Sequence, residues 1–456
     1  MLPIVTPSEM RAIDAAASVS EEVLIERAGS AVARSAIRMM GGTYCRTVDV
    51  VAGTGNNGAD GRVAARLLAA RGVKVRVWPV SACPTHLPPG DLVIDAAFGT
   101  GFHGTWAPPD VGDTPVLAVD LPSGLDALTG QADGRVLAAA RTVTFAALKP
   151  GLLFGTGPDL AGELEVADIG LDVDAATAQL VQRDDVAGWM PGRASTAHKW
   201  NAAVRVIAGS RGMPGAAALC AGAAQRTGAG MVQVSVPGLD HAAQLPVEAV
   251  LRSLPASGWA DDALRSFDRF HAVVLGPGLG RADDTAASTR YVAIRCPLPV
   301  VIDGDGLFAL AWNADGAAAL LRQREAPTVL TPHDGEYQLL TGVPPGRDRI
   351  TSARRLAIDT DSVVLLKGPS TVVADPSGEV LVVRAGDERL ATAGTGDVLA
   401  GVIGALIAMR IDAFEAAAAG AWIHGRAALG APAAGMVASD LLAQLPHVLS
   451  ELRDGR

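Results

Sequence analysis

The chain has 456 residues, of which 49% are hydrophobic and 4% aromatic, and its formal net charge is −10. This length exceeds one ordinary hydrophobic core and favours two domains. The acidic balance, with no basic stripe, argues against a nucleic-acid partner. Four widely spaced cysteines without a C-x-x-C pair and a start without a secretory pattern predict a cytoplasmic protein. The longest apolar run, residues 398–409, is too short to span a bilayer, so we expect no membrane partner.

Short apolar or β-branched segments, bounded by glycine or proline, predict buried parallel strands in the first part of the chain. These segments cover residues 47–52, 73–80, 92–97, 116–120 and 142–146. A second set begins near residue 204, after a polar, irregular stretch at 184–201. Both blocks are typical of α/β sheets with crossover helices. We predict a first domain over residues 1–187 and a second over 198–456.

The sequence GTGNNGADG, residues 53–61, follows the first predicted strand. Its glycines have the G-x-G-x-x-G spacing that lets a backbone approach a phosphate at the start of a helix, here expected near Gly61. The acid expected about 20 residues further on for a nicotinamide dehydrogenase is missing, since the first acid after the second strand is Asp91. This argues against hydride transfer. Asp60 stands where it could cap the helix or contact a ligand.

Two further loops should meet this one, because ligands of parallel sheets bind beyond the carboxyl ends of the strands. They are IDAAFGTGFHG, residues 94–104, and VDLPSGLD, residues 119–126. Asn57, Asp95 and Ser123 would then bring together hard oxygen ligands, which suit an alkali or alkaline-earth ion. The alternative is that Asp95 and Asp120 only bind backbone amides at strand ends.

In the second block, AGTGDVLAGVIGALIA, residues 393–408, is a Gly-Thr-Gly turn that runs directly into an apolar helix. Free N–H groups and the helix dipole then point at one spot, which favours an anion. Asp397 lies in the first turn, either as a helix cap or as a general base beside a phosphoryl acceptor. No G-x-x-x-x-G-K-[ST] motif exists, so this is not a P-loop enzyme.

Taken in order, the three loops of the first block resemble the epimerase domain of bifunctional NAD(P)H-hydrate repair enzymes. GTGD at a helix start is similar to the ribokinase-like fold. Within that fold, GPGLG (276–280), TPHDGE (331–336) and KGPST (367–371) resemble the ADP- or ATP-dependent NAD(P)H-hydrate dehydratases. The resemblance implies an N-terminal Rossmann-like three-layer α/β sandwich followed by a C-terminal ribokinase-like α/β domain.

The same resemblance implies a nicotinamide nucleotide repair enzyme. Such an enzyme interconverts the R and S epimers of NADH and NADPH hydrate and dehydrates the S form at the expense of ADP or ATP. No local sequence feature distinguishes ADP from ATP as the phosphoryl donor. It implies K⁺ in the first domain, Mg²⁺ with the nucleotide in the second, and a homo-oligomer. The alternative is a ribokinase-like kinase for a vitamin precursor or sugar, with a non-catalytic N-terminal binding domain. A kinase would leave a stable phosphoester.

Site residues follow from the resemblance in both domains. Those that bind the hydrate in the first domain are Asn56, Asn57, Gly58, Ala59, Asp60, Gly99, Thr100, Gly101, Phe102, His103, Gly104 and Asp120; the potassium ligands are Asn57, Asp95 and Ser123. The hydrate in the second domain should touch Ala216, Gly278, His333 and Asp397, and the nucleotide should touch Lys367, Gly368, Pro369, Ser370, Thr371, Gly394 and Gly396. Asp397 is the expected catalytic base. For proton transfer in the first domain we favour Asp120 over His103, and His333 could instead simply precede a helix.

The sequence departs from the family pattern at a few positions. Ala59 replaces a glycine, which would cost roughly 1 kcal/mol if the backbone there needed a positive φ. Gly304 and Gly306 stand where the family commonly has alanine, and Trp200 stands where it has glycine. We assign no catalytic role to these three residues.

Overall fold

The computed structural model describes residues 1–102, 104–192, 194–239, 245–312 and 316–454. The chain divides into two compact units, residues 2–179 and the residues from 180 onwards. None of the helices in the described ranges combines the length and the apolar character needed to cross a bilayer.

The first unit is built on a parallel sheet. Its strands are β1 (Leu2–Ile4), β2 (Thr47–Ala52), β3 (Lys74–Pro79), β4 (Leu92–Ala96), β5 (Val116–Val119), β6 (Arg141–Phe145) and β7 (Glu163–Ala167). Its helices are α1 (Pro7–Ala15), α2 (Glu21–Met40), α3 (Asn56–Ala69) and α4 (Gly157–Leu160), with short 3₁₀ turns at Val80–Ala82 and Pro150–Leu152. The five predicted strands are present within one residue of their predicted bounds, whereas β1 and β7 were not predicted.

Six strands of this unit pair side by side in the order β3-β2-β4-β5-β6-β7, all of them parallel. The central strands β4 and β5 are buried along their whole length, which explains why they are nearly continuous apolar runs rather than alternating sequences. In β2, Val48 and Val50 belong to the core beneath α2 and α3, while Val51 faces a second core covered by irregular segments that include Phe98 and Trp106. The two faces thus bury alternate residues of the same strand.

The strand order of the first unit reverses beside β2. The chain leaves β2 for β3 on one side and then returns to β4 on the other side. Such a reversal opens a crevice outside the carboxyl ends of the two central strands, which is where α/β sheets bind ligands. The loops that follow β2 and β4 therefore flank the expected binding position.

The second unit repeats the alternation of strand and helix on a larger scale. Its strands, beginning with one that crosses the boundary, are β8 (Ala178–Leu180), β9 (Ala203–Ile207), β10 (Met231–Ser235), β11 (Val250–Leu251), β12 (Ala272–Leu275), β13 (Val300–Ile302), β14 (Thr328–Leu330), β15 (Val363–Leu366), β16 (Thr371–Ala374) and β17 (Val380–Val383). Its helices are α5 (Arg183–Trp189), α6 (Pro214–Thr227), α7 (Ala260–Ala263), α8 (Asp283–Arg295), α9 (Asp305–Ala311), α10 (Gly316–Leu321), α11 (Asp334–Thr341), α12 (Arg349–Thr360), α13 (Thr395–Ala408), α14 (Ala413–Gly430) and α15 (Ala438–Asp454). Short 3₁₀ turns lie at Lys199–Asn201 and Glu388–Leu390.

The sheet of this unit runs in the order β17-β16-β15-β14-β13-β12-β9-β10-β11. From β15 to β11 the pairs are parallel, as predicted. The pairs β15–β16 and β16–β17 are antiparallel, and the sequence pattern did not predict this edge.

Helix α13 is buried almost along its whole length because two of its glycines lie against neighbouring elements. A Cβ atom at Gly401 would lie 2.2 Å from the carbonyl oxygen of Cys220 in α6, and one at Gly404 would lie 2.4 Å from Val274 in β12. Only a helix without side chains at these points can pack this closely. The packing fixes where the first turn of α13, with Asp397, must lie.

The observed division between the units falls before the predicted connector at 184–201, and the first unit ends before residue 187. The reason is helix α5, which belongs to the second unit. Val186 and Ala187 are buried in its hydrophobic core, and an Nη of Arg183 donates to the carbonyl of Glu451 in α15 (2.6 Å). The polarity of this stretch hid the two apolar residues that anchor it.

We expect a fragment of the chain that starts at residue 198 to be less stable than one that starts at residue 176, because only the longer fragment keeps α5. Within the longer fragment, Val186→Ala should lower the melting temperature, since burying a valine side chain contributes about 2 kcal/mol. Asp184→Ala, at an exposed position of the same helix, should change the free energy of unfolding by less than about 0.5 kcal/mol. Thermal unfolding of all four proteins measures this. Equal melting temperatures for the two fragments would contradict the observed boundary.

Candidate functional sites

A cavity of about 930 Å³ opens in the first unit where the strand order reverses. Most of the residues predicted to bind the hydrate line it: Asn56, Asn57, Asp60, Gly99, Thr100, Gly101, Phe102 and Asp120. Gly58, Ala59 and Gly104 are not among the lining residues, and His103 lies outside the described residues. The cavity also contains Asp14, Glu21 and Lys149, which the sequence analysis did not single out.

The glycine-rich loop is tighter than the sequence suggested. Helix α3 begins at Asn56, not near Gly61, with Gly55 as its cap. A Cβ atom at Gly53 would lie 2.0 Å from the carbonyl oxygen of Ala97, and one at Gly58 would lie 2.0 Å from that of Gly53. These two glycines therefore let the chain turn from β2 into α3 directly against the loop that follows β4.

The early start of α3 changes the interpretation of two residues. Ala59 is helical, and its N–H donates to the carbonyl of Gly55 (3.0 Å), so no positive φ is needed and the expected strain is absent. Asp60 lies within the helix rather than at its cap, so the capping alternative is wrong. Its carboxyl group is buried at the cavity. Burial, and after it the charge of Asp120, raises the pKa of Asp60 to about 8.

The three predicted potassium ligands lie together in one buried group. Ser123 Oγ donates to Asp95 Oδ1 (2.6 Å), and the Ser123 N–H donates to Asp95 Oδ2 (2.9 Å). Asn57 Nδ2 donates to the carbonyl of Phe98 (2.9 Å), whose own N–H donates to Ser123 Oγ (2.9 Å). The alternative in which Asp95 only binds backbone amides is thus incomplete, because Ser123 binds it through the side chain as well.

Two features of this group indicate room for a cation. Asn57 Oδ1 is buried and has no hydrogen-bond partner among the described residues, which is costly for a polar atom. Burial raises the pKa of Asp95 against the hydrogen bonds from Ser123, as happens when no positive charge is nearby. In the described parts of the chain, no three His, Cys, Asp or Glu residues group as metal ligands. A single carboxylate with amide and hydroxyl oxygens suits a monovalent ion.

Asp120 occupies an unusual backbone position at the end of β5, with φ +65°. Its N–H donates to the carbonyl of Val143 (2.7 Å), and its Oδ1 lies 2.7 Å from Lys149 Nζ. Lys149 is fully buried and also donates to Thr144 Oγ1 and to the carbonyl of Phe145 (both 3.0 Å). Thr144 Oγ1 in turn donates to Asp120 (3.0 Å). The ion pair holds the Asp120 carboxylate in place at the cavity.

A cavity of about 530 Å³ opens in the second unit beside the start of α13. Its lining includes the predicted residues Ala216, Gly278 and Asp397, together with Gly304 and Asp305. Gly278 has φ +62°, and a Cβ atom there would lie 2.7 Å from that of Ala216. The glycine therefore brings two predicted hydrate contacts against each other.

Asp397 is the third residue of α13, and the helix is capped by Gly394 (φ +91°) without a side-chain bond. The interpretation of Asp397 as a helix cap is therefore wrong. Burial raises the pKa of Asp397 to about 7, and the negative charge of Asp303 adds to this while Lys367 opposes it. The carboxyl group can thus exchange a proton near neutral pH.

Asp303, at the end of β13, is the central residue that the sequence analysis missed. Its Oδ1 accepts hydrogen bonds from Lys367 Nζ (2.6 Å) and from Thr331 Oγ1 (2.7 Å). Burial lowers the pKa of Lys367, but the negative charges of Asp303 and Glu336 have the larger combined effect, so the pKa is raised. A Cβ atom at Gly396 would lie 3.3 Å from Lys367 Nζ, so this glycine lets the start of α13 approach the ion pair. The sequence signal that could have identified Asp303 is an aspartate directly after a predicted strand, the first of the two in VIDGDG.

His333 caps helix α11. Its Nδ1 accepts hydrogen bonds from the N–H groups of Gly335 (3.0 Å) and Glu336 (3.2 Å). Glu336 accepts in return from the N–H of His333 (2.9 Å). This is the alternative that the sequence left open, and His333 is not among the residues that line the described cavity. Contact with the hydrate stays a prediction for this residue.

The predicted nucleotide segment, Lys367 to Thr371, connects β15 to β16. The carbonyl of Lys367 accepts from an Nη of Arg349 (2.7 Å), and Arg349 also pairs with Asp334 (2.9 Å). This anchors the segment at the carboxyl end of the parallel strands. Gly394 and Gly396 precede and begin the first turn of α13, on the other side of Lys367.

The remaining departures from the family pattern have structural reasons. Gly304 adopts φ +56° where α9 begins, a conformation that an alanine would find strained. A Cβ atom at Gly306 would lie 2.9 Å from the carbonyl oxygen of Leu275. Trp200 packs edge-to-face on Phe270, with ring centroids 5.8 Å apart.

The sequence matches two family models. One, described as NAD(P)H-hydrate dehydratase, covers residues 204–449; the other, described as YjeF-related protein N-terminus, covers residues 21–86 and 78–151. The bifunctional NAD(P)H-hydrate repair enzyme Nnr of Mycobacterium leprae is 37% identical, over 90% of each chain. Both halves of the chain therefore have counterparts in one curated relative.

Two solved structures resemble the second unit. The ADP/ATP-dependent NAD(P)H-hydrate dehydratase of Bacillus subtilis, co-crystallized with ATP/Mg²⁺, is 30% identical, with a TM-score of 0.53, over 59% of this chain and 97% of its own. A ribokinase-like superfamily protein of Enterococcus faecalis, 22% identical, has a TM-score of 0.53 over 60% of this chain and 96% of its own, which supports the fold. The predicted fold class is confirmed. The chain belongs to the family of bifunctional NAD(P)H-hydrate repair enzymes.

Proposed function

We propose that the first unit epimerises NAD(P)H hydrate and that the second unit dehydrates the S epimer with ADP or ATP. The observation that carries this assignment is the presence of two separate cavities: Asp120, bound by the buried Lys149, lines the first, and Asp397 lines the second, close to the charged Lys367–Asp303 pair. In the first unit β3, the strand that follows the glycine-rich loop and α3, does not end in the acid that a nicotinamide dehydrogenase needs. The second contains a helix start that favours phosphate.

Dehydration begins at Asp397. The helix start of α13 offers N–H groups to the transferred phosphoryl group, while Asp397 accepts the proton of the C6 hydroxyl as that oxygen is phosphorylated. The C6–O bond then breaks, phosphate leaves, and loss of the C5 proton to the departing phosphate restores the double bond between C5 and C6. Ala216, Gly278 and His333 would contact the hydrate, and Lys367 to Thr371 with Gly394 and Gly396 would contact the nucleotide.

The metal ions have different roles in the two units. In the second unit Mg²⁺ would accompany the nucleotide and neutralise phosphate charge, a proposal supported by the Bacillus subtilis enzyme, which was co-crystallized with ATP/Mg²⁺. In the first unit, Asn57, Asp95 and Ser123 would hold K⁺ and so fix the loop that includes Gly99 beside the substrate. The unpartnered Asn57 Oδ1 supports this assignment. Cytoplasmic location and a homo-oligomeric state stay predictions.

One assay tests the whole proposal. The full chain is incubated with a mixture of both NADH-hydrate epimers and with ADP or ATP, and the products are separated by chromatography. We expect free phosphate, restored NADH and loss of both epimers, whereas accumulation of a stable phosphoester would identify a kinase instead.

Dehydration should fail as the pH falls through about 7, because Asp397 must be ionised to accept a proton. Asp303→Asn removes the negative charge that adds to the effect of burial on the pKa of Asp397 and leaves Lys367 without its charge partner, so the acid limb of kcat/KM should move down by about one pH unit. Asp397→Asn should lose about 10²–10⁴-fold in rate. The folded-state pKa of Asp397 is raised, so its ionised form costs stability above pH 7, and Asp397→Asn should be no less stable than the wild type there. An unmoved acid limb in Asp303→Asn would contradict the assignment.

Asp120→Ala should leave the R epimer behind when nucleotide is in excess. The S epimer should disappear at the wild-type rate, because Asp397 lies in the other unit, and this serves as an internal control. R should disappear only at the spontaneous rate. Chromatography of both epimers over time makes the comparison; wild-type clearance of R by the variant would remove Asp120 from the mechanism.

Potassium should support epimerisation through the Asn57, Asp95 and Ser123 oxygens. After exhaustive dialysis, epimer exchange without nucleotide should be faster in potassium than in lithium buffer, because the smaller, more strongly hydrated ion fits the site less well. Ser123→Ala removes one ligand and should raise the potassium concentration needed for half-maximal rate. Equal rates in both buffers would argue against the ion site.

A further inference from the structure

The carboxyl group of Asp60 lines the first cavity, and the function proposed above gives it no role beyond contact with the substrate. We propose that Asp60 is the general acid of epimerisation and that Asp120 is its partner base. This assignment rests on the epimerase activity proposed for the first unit, and it adds the residue that protonates the leaving hydroxyl group.

The packing of α2 against α3 buries most of Asp60. Only 6% of the residue is exposed. A Cβ atom at Gly29 in α2 would lie 2.8 Å from the carbonyl oxygen of Asp60 and 2.5 Å from Cβ of Val63, one turn further along α3. The glycine allows the two helices to meet at this turn. The part of Asp60 that stays accessible therefore faces the cavity that it lines.

The surroundings of Asp60 and Asp120 differ in a way that suits opposite roles. The carboxylate of Asp120 pairs with the ammonium group of Lys149 (2.7 Å) and accepts a hydrogen bond from the hydroxyl of Thr144 (3.0 Å). The carboxyl group of Asp60 has no hydrogen bond or ion pair to the described residues, and burial and the Asp120 charge both act against its ionisation. A carboxylate paired with a cation and a buried carboxyl group without such a partner are the usual arrangement for a base and an acid.

Asp60 is protonated at neutral pH, since its pKa is raised to about 8. Three other charged groups line this cavity: Lys149, which is bound to Asp120, and the carboxyl groups of Asp14 and Glu21. Asp14 also has a raised pKa, mainly through burial, but its residue is exposed at the rim. Asp60 is thus the buried acid of the set.

The chemical step needs only water as a co-reactant. Asp60 donates its proton to the C6 hydroxyl oxygen; the C6–O bond breaks, water leaves, and the N1 lone pair forms an N1=C6 double bond. A water molecule then adds to the other face of C6, and its proton passes to Asp120. The product is the opposite epimer. The reverse reaction uses the same two groups in exchanged roles, and nothing is oxidised or reduced.

The first test is the pH dependence of epimer exchange by the full chain without nucleotide, so that the second unit consumes no S epimer. The wild-type rate should fall roughly tenfold per pH unit above about 8, as Asp60 loses its proton. Asp60→Asn should be slower by about 10²–10⁴-fold and should lack this limb. Asp14→Asn, a carboxyl change in the same cavity, should keep the limb at its wild-type position.

The second test determines whether the oxygen atom at C6 of the product comes from solvent or from the substrate. In water labelled with heavy oxygen, each inversion catalysed by the wild type should place a solvent oxygen at C6, as mass spectrometry of the early product would detect. If C6–N1 cleavage caused the inversion instead, the early product would keep its original oxygen, and the proposal would be wrong.

A folding control separates a catalytic role from a structural one. Because ionised Asp60 costs stability above pH 8, Asp60→Asn should melt no lower than the wild type there. A wild-type profile without an alkaline limb, or an Asp60→Asn variant that is folded and keeps its rate, would overturn the proposal and leave the epimerase function standing. Absence of any epimer exchange in the wild type would instead overturn the function itself.

Discussion

Removal of a carboxyl group from water beside a second carboxylate is the constraint on which both sites depend. In the first unit Asp60 is buried near Asp120, and in the second Asp397 is half-buried near Asp303. In each pair one carboxylate is bound by a lysine: Asp120 by the buried Lys149 at 2.7 Å, and Asp303 by the half-buried Lys367 at 2.6 Å. The lysine compensates the charge of the carboxylate that it binds. The other carboxyl group has no such partner, so burial raises its pKa to about 8 for Asp60 and about 7 for Asp397. Two unrelated folds thus arrive at the same electrostatic solution.

Glycines give these groups their positions. Gly53 and Gly58 let α3 start against the loop after β4, and Gly396 lets α13 start against Lys367. Gly401 and Gly404 bring α13 down onto its neighbours. A Cβ atom at these glycines would lie too close to backbone oxygens, to the Val274 side chain or to Lys367 Nζ, so the absence of a side chain is what allows each helix to approach its neighbours.

The sequence was sufficient for the strands, because parallel strands buried on both faces are short apolar runs with clear ends. It was also sufficient for the loops that line both cavities, since parallel strands end at one edge. It did not predict Lys149 or Asp303, because a lysine in a loop and an aspartate at a strand end are common and become informative only when a partner from elsewhere in the chain reaches them. It misplaced the start of α3, since the collisions that require Gly53 and Gly58 are tertiary. The sequence also placed the domain boundary too late, because α5 lies in a polar, irregular stretch and its two buried residues, Val186 and Ala187, did not stand out as part of the second unit.

The raised pKa values of Asp60 and Asp397 define a narrow pH range in which both proposed activities would operate together. With the roles proposed for these residues, the first unit would be active while Asp60 keeps its proton, below about pH 8, and the second would be active once Asp397 has lost its proton, above about pH 7. In a more acidic medium the epimers would interconvert without being consumed, and damaged nucleotide of both forms would accumulate. In a more alkaline medium the S form would still be repaired, and the R form alone would persist. The ratio of the two epimers in a cell extract would therefore report which half of the repair has stopped.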